Sequence, residues 1–374
     1  MKRILAAILI AALLIFPGQV RADGEPNVSA DAFVLMEAGT GEILLQKNAN
    51  AQMLIASTTK IMTALVVLEH ESLDEKVTIR PEWTNIEGSS MYLAAGQNYT
   101  VRELLYGMML ASGNDAAMAL ACHTAGSVED FAALMNAEAV SLGCTNSHFE
   151  NPNGLDGAEH YSSARDLAAI TRKAIQNRDF CAIVSCKSIT IGKNTFSNHN
   201  RLLRECDGVF GVKTGYTEAA GRSLVTCCRR EGMTLICVTL SDPDDWDDHA
   251  ALYDWAYRTY TTADTLSEAA VCDLPVIGGK ASSVPVEPEG SLCLLRRKDA
   301  KITVEYNLPK FVYAGVRGGQ TAGTAAVYVN GVRTGETRLI YTCSVEFNAD
   351  ERLNFKERVL RFLELAGRNI YLLS

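Results

Sequence analysis

Apolar residues recur at two different periods along this chain, and the places where the period changes outline its elements. Near the start, Ala32-Phe33-Val34-Leu35-Met36 and Glu42-Ile43-Leu44-Leu45-Gln46 flank Thr40-Gly41. That pattern predicts a β-hairpin over residues 30–48. The apolar run Ile61 to Leu68 predicts a helix that begins around Ser57. Residues 100–180 read as helices: Val101-Arg102-Glu103-Leu104-Leu105 onward, Asp115 to Thr124, Val128 to Leu142, and Ser163 to Asn177. Strand-like runs return at Lys187 to Ile191, Val209 to Lys213, Arg222 to Thr226 and Met233 to Leu240. A helix over Asp248 to Thr261 closes the first domain. Strands at both ends of a segment with helices between them predict an α+β domain, one antiparallel sheet covered by helices.

From about Leu266 to Phe347 the chain turns to short strands and turns. Thr324-Ala325-Ala326-Val327-Tyr328-Val329 runs into Asn330-Gly331, a strong hairpin signal. This segment predicts a small all-β domain with no converging catalytic residues. The tail differs again. Phe355, Val359, Phe362 or Leu363, Ala366, Ile370 and Leu373 recur every three or four residues, with Lys356, Arg358, Arg361 and Arg368 largely off that stripe. Such a helix either lies in a membrane interface with its basic residues toward anionic lipid, or packs on its own β domain. The expected organisation is 1–22, 23–264, 265–350 and 351–374.

Segment 1–22 has the form of a secretory signal. Lys2-Arg3 precede the apolar stretch Ile4 to Phe16, Pro17-Gly18 breaks it, and Val20-Arg21-Ala22 offers a cleavage site after Ala22. That apolar stretch falls short of the ~20 residues that span a bilayer. An uncleaved anchor is the alternative. Removing Lys2, Arg3 and Arg21 takes the formal charge from −9 to −12. No basic stripe exists to neutralise phosphates, so nucleic acid is not an expected partner. The cysteines are odd in number, eleven, so at least one is unpaired. None forms a Cys-x-x-Cys pair, and the histidines show no His-x-x-x-His spacing, so neither metal nor cofactor is expected. Cys181 and Cys186 are close enough in sequence to bridge, and Cys237 sits in a buried-strand pattern. Asp242, Asp244, Asp245, Asp247 and Asp248 cluster around Trp246, as a solvated loop or a cation site.

Candidate chemistry enters with Ser57 and Lys60. Three residues apart, they share a helix face. A serine hydroxyl is a weak nucleophile until a base takes its proton, and a lysine serves if burial or a neighbouring positive charge keeps part of it neutral. Ser-x-x-Lys alone is a common pattern. Ser112-Gly113-Asn114 and Lys213-Thr214-Gly215 follow in order, after gaps of about 50 and 100 residues, and this order is the one shared by penicillin-binding proteins and class A β-lactamases. Gly113 stands where those motifs carry Asp. Phe149 to Asp156, His160 to Leu167, and Asn198-His199-Asn200-Arg201-Leu202-Leu203 narrow the match. Over nearly its whole length the chain resembles the low-molecular-weight penicillin-binding proteins that are D-alanyl-D-alanine carboxypeptidases.

The resemblance implies a serine β-lactamase/DD-peptidase-like fold, with the site between sheet and helical lobe, and a β domain acting as a spacer above the membrane. It implies that Ser57 is the nucleophile, Lys60 its base, and Ser112 the group that passes a proton to the leaving amine. Asn114 would orient Lys60 and hold a substrate amide. Lys213 and Thr214 would hold the substrate carboxylate, and the backbone N–H groups of Ser57 and Tyr216 would form an oxyanion hole. His199 is either a subsite contact or a structural residue. The expected activity is removal of terminal D-alanine from peptidoglycan stem peptides ending in D-Ala-D-Ala, at the extracytoplasmic face of the membrane, with covalent binding of β-lactams. The alternatives are a serine β-lactamase, in which Glu150 is the nearest candidate for the glutamate that activates the deacylating water, and a non-catalytic penicillin-binding wall protein.

Overall fold

The computed structural model describes residues 24–262, 264–266, 272–348 and 355–368; the expected export signal lies outside them. Five strands form one antiparallel sheet, in the order Ile43–Lys47, Ala32–Glu37, Met233–Leu240, Gly221–Arg230, Val209–Thr217. The hairpin predicted for residues 30–48 is present, and strands from both ends of the domain meet in this sheet. Its faces follow the two-residue strand period. Ala32, Val34 and Met36 enter the core beneath the helical lobe, while Phe33 and Leu35 enter a second core on the opposite face. That second core is closed by Leu252, Tyr253, Trp255 and Ala256 of the helix Asp245–Thr259. Both faces are dry, which explains the nearly unbroken apolar runs of the central strands.

The helices in chain order are α1 Lys60–His70, α2 Val101–Leu110, α3 Asn114–Ala125, α4 Val128–Ser141, α5 Ala164–Ala174, α6 Arg178–Ser185, α7 Leu202–Glu205, α8 Asp245–Thr259 and α9 Phe355–Arg368. Every residue of α1 from Lys60 to Val67 is buried, as expected of a helix enclosed by others. α2 opens on a capping box: Thr100 accepts from the Glu103 N–H, and the Glu103 carboxylate accepts from the Thr100 N–H.

The structure corrects three expectations. The helix read from Ser163 to Asn177 ends at Ala174, and Asn177 instead caps α6 by accepting from the Asp179 and Phe180 N–H groups. Cys181 and Cys186 do not bridge. Their thiols turn to the carbonyls of Ile175 and Ser188, and all eleven cysteines are free. The acidic cluster is not a solvated loop: Asp242, Asp245 and Asp248 are buried. Ser29 donates to Asp242 and Asp248, tying the N-terminal segment to the start of α8, while Arg222 pairs with Asp245. Acidic side chains tied to Ser29 and Arg222 at a helix start look the same in sequence as an exposed acidic loop.

Residues 272–348 build a separate six-stranded sheet around Leu274, Val276, Val284, Val286, Ala325 and Leu339. Val329 pairs with Val332 across Asn330 and Gly331, whose φ values of +51° and +82° are those of a tight hairpin turn.

Candidate active site

Ser57 lies in a 3₁₀ turn, Ala56–Thr59, immediately before α1, rather than inside the helix itself. A 3₁₀ turn stacks positions i and i+3, and Lys60 Nζ stands 2.8 Å from Ser57 Oγ. The same nitrogen is 2.7 Å from Asn114 Oδ1 and 2.6 Å from the Asn153 carbonyl oxygen. Three oxygens therefore surround it. Two of them, the Asn114 amide oxygen and the Asn153 carbonyl, can only accept. A neutral amine has two N–H donors and one lone pair. With both donors committed to Asn114 and Asn153, the lone pair is left facing the Ser57 hydroxyl.

The electrostatics favour that neutral form. Lys60 is fully enclosed, and burial first, then the charge of Lys213, hold its pKa well below the usual lysine value; the Asp115 carboxylate pulls weakly the other way. Asn114 cannot turn its amide around, because its Nδ2 donates to the Glu87 carbonyl at 2.6 Å. Ser112 is buried two residues earlier, in the left-handed turn joining α2 to α3, with φ +58°.

Lys213 sits on the Val209–Thr217 strand, the edge of the sheet. It is buried, its Nζ donates to the Thr214 carbonyl at 2.8 Å, and burial pushes its pKa down to about 7. A Cβ on Gly215 would lie 3.0 Å from the Ile55 carbonyl and 3.1 Å from the Ser57 nitrogen. The edge strand thus runs directly against the Ser57 turn, which places the Gly215–Tyr216 backbone beside Ser57. Tyr216 itself is 66% exposed. The outer side of this strand has no sheet neighbour among the described residues.

Hydrogen bonds therefore join Ser57, Lys60 and Asn114, Gly215 packs against the Ser57 turn, the Lys213 charge acts on Lys60, and Ser112 lies two residues before Asn114 in the α2–α3 turn. His199 is exposed on the rim of a cavity of about 580 Å³ that Ser89, Ser90, Tyr92 and Lys193 also line. Partial burial and the nearby Lys213 charge lower its pKa. Glu150 is turned toward its own loop, where its carboxylate accepts from the Glu159 N–H at 3.1 Å.

Several groups that build the site carry no motif. The Asn153 carbonyl is the third partner of Lys60. Gly154, at φ +85°, lets that loop touch the Ser57 turn, since a Cβ there would fall 1.9 Å from the Ala56 carbonyl. Asp115 accepts from the N–H groups of Met91 and Leu93 and from the Ser90 hydroxyl, so it holds residues 90–93 against α3. Asp115 also explains Gly113: a Cβ at that position would lie 2.9 Å from Asp115 Oδ1 and 3.0 Å from the Met91 nitrogen.

Residues 19–244 match the family model described as D-alanyl-D-alanine carboxypeptidase, Peptidase_S11. The chain is 30% identical over 355 residues to the D-alanyl-D-alanine carboxypeptidase DacF of Bacillus subtilis, covering 88% of this chain and 91% of that one. It is 33% identical over 348 residues to DacC of Escherichia coli, covering 86% and 85%. Among solved structures, penicillin-binding protein 5 from Haemophilus influenzae superposes with a TM-score of 0.67 at 29% identity, covering 86% of this chain and 98% of that one.

Proposed function

The chain belongs to the D-alanyl-D-alanine carboxypeptidase family of serine peptidases, and from that premise we propose that Ser57 is its nucleophile and Lys60 the base. As a member it removes the terminal D-alanine of peptidoglycan stem peptides and is acylated by penicillins. In the proposed cycle the Ser57 hydroxyl gives its proton to Lys60 Nζ while Oγ adds to the carbonyl carbon of the penultimate D-alanine. The oxyanion lies between the backbone N–H groups of Ser57 and Tyr216. Preorganised donors of this kind are worth about 10²–10³ in rate. As the tetrahedral centre collapses, the C–N bond breaks and the proton held by Lys60 reaches the leaving amine through Ser112. Water then adds to the ester, with Lys60 again taking the proton, and Ser57 is released.

Lys213 and Thr214 hold the carboxylate of the terminal residue. Asn114 holds Lys60 in register and accepts or donates to a substrate amide. His199 contacts the stem peptide further out. The observation that carries this reading is the threefold environment of Lys60 Nζ, in which only Ser57 among the three partners has a proton to give.

The proposal extends to the ends of the chain. Residues 1–22 export the protein and are removed, leaving 23–264 as the catalytic domain, 265–350 as a spacer, and 351–374 as the segment that, through α9, holds the enzyme at the extracytoplasmic face of the membrane. No helix among the described residues is long and apolar enough to cross a membrane. The support for surface attachment is instead α9, on which Val359, Leu360, Phe362 and Leu363 are exposed.

Ser57→Ala tests the assignment. It should abolish both labelling by a fluorescent penicillin and D-alanine release from a pentapeptide, with the melting temperature unchanged. Labelling that survives in a folded Ser57→Ala protein would place the nucleophile elsewhere.

A further inference from the structure

At the far end of α1 from the nucleophile, Glu71, Glu75 and His123 converge, and their ligand atoms all lie within 4.8 Å of one another. Among the described residues no other group of His, Cys, Asp and Glu side chains meets this way. His123 Nε2 is 3.3 Å from Glu75 Oε1 and 3.8 Å from Glu71 Oε2. Yet Nε2 is sealed from solvent and makes no hydrogen bond to either carboxylate. A simple imidazolium–carboxylate pair would aim its N–H at one of those oxygens. Nε2 instead lies within reach of both carboxylates while bonding to neither, and a cation among the three would take the nitrogen lone pair and one oxygen from each glutamate. Ligands at 2.0–2.1 Å around a tetrahedral zinc ion lie roughly 3.4 Å apart, close to the spacings seen.

We propose that Glu71, Glu75 and His123 form a structural site for a divalent cation of the zinc class. One imidazole and two carboxylates suit zinc or cobalt better than calcium or magnesium, which prefer oxygen alone. The ligands are held by rigid backbone. The Glu71 N–H donates to the Val67 carbonyl, and the Glu75 carbonyl accepts from the Val101 N–H at the start of α2. Glu75 is exposed, leaving the fourth position to water.

The placement gives the site a purpose. Glu71 follows the last residue of α1, and His123 lies in the last turn of α3. The first residues of those same helices are Lys60 and Asn114, which meet at 2.7 Å in the catalytic cleft. A cation clamping the C-terminal ends of α1 and α3 fixes the relative position of the helices whose N-terminal ends carry that contact. Pattern reading misses the site because Glu71 and His123 are 52 positions apart in sequence.

The test must separate this site from eleven thiols. The full-length chain, stripped with EDTA and kept reduced, is titrated with Co²⁺ and then with Zn²⁺. The expected result is one cobalt per chain with weak visible bands and no intense thiolate charge-transfer band, displaced by zinc, with a rise in melting temperature. His123→Ala and the exposed Glu75→Gln should each weaken binding by more than the roughly 10–100-fold that loss of an outer-shell partner costs. Both variants should still label stoichiometrically with fluorescent penicillin, which shows that they are folded. No binding, a thiolate spectrum, or unchanged affinity in His123→Ala would each overturn the proposal.

Discussion

In the proposed mechanism Lys60 acts as a base only while neutral, and Lys213 holds a carboxylate only while charged. Burial lowers both, and the charge of Lys213 lowers Lys60 further. The sign of the pH response follows. As pH rises, Lys60 loses its proton and activity climbs. As pH rises through about 7, free Lys213 loses its own proton, and in the proposed mechanism the cleft then loses its hold on the substrate carboxylate. kcat/KM reports the free enzyme, so its alkaline limb should fall near that value. A bound carboxylate favours the charged lysine, so the alkaline limb of kcat should lie at higher pH. Lys213→Arg should move the limb of kcat/KM upward, because a guanidinium stays protonated. Measured pH–rate profiles decide this; coincident limbs that Lys213→Arg leaves in place would remove Lys213 from carboxylate binding.

The α2–α3 turn shows what a motif does and does not encode. Ser112 and Asn114 were legible because their side chains carry chemistry at a known offset. The reason for Gly113 between them was not, since it depends on Asp115 two positions later and on Met91, which presses against that position from a loop more than twenty residues earlier. The same holds for Asn153 and Gly154. The group that Lys60 uses there is a backbone carbonyl, and no side-chain identity announces it. Conversely, Ser57 and Lys60 were paired for the right spacing on the wrong helix type, because an apolar run shows where a helix continues and not whether its first turn is 3₁₀. The packing at Gly113 yields a prediction. Gly113→Asp recreates the Ser-Asp-Asn form of the wider superfamily, yet it should harm this chain. Its Cβ meets backbone at 3.0 Å and its charge would face Asp115. Overpacking of this kind costs about 1–3 kcal/mol, and the displaced turn should slow acylation at least tenfold. Melting temperature and penicillin labelling rate measure the two effects. A variant as stable and as reactive as the parent would show that the turn relaxes freely.

At the scale of the whole molecule, the catalytic domain buries both faces of its sheet, whereas the C-terminal sheet has a smaller core and a helix resting at its edge. Among the described residues the Phe362 ring of α9 stands edge-on to Phe311 of the β domain, with centroids 5.8 Å apart. Val359, Leu360 and Leu363 remain in solvent, 41%, 55% and 58% exposed. A helix that packed on its own domain would hide such residues. Lys356, Arg358 and Arg361 lie on the same helix, largely off the Val359–Phe362 stripe, the composition of helices that lie in an interface with anionic lipid. The chain's net charge of −9 opposes adsorption of the remainder, so attachment should depend on the tail. Truncation before Phe355 should abolish co-sedimentation with vesicles containing phosphatidylglycerol while leaving soluble-substrate kcat/KM within about twofold, since α9 contributes nothing to the cleft. Leu360→Asp with Leu363→Asp should do the same without shortening the chain, because each buried apolar side chain contributes about 1.5–3 kcal/mol and a charge reverses it. Raising salt should weaken binding only in part, as the apolar contribution is not screened. Full-length protein that ignores vesicles, or truncated protein that still sediments with them, would return α9 to the role of a packing element on the β domain.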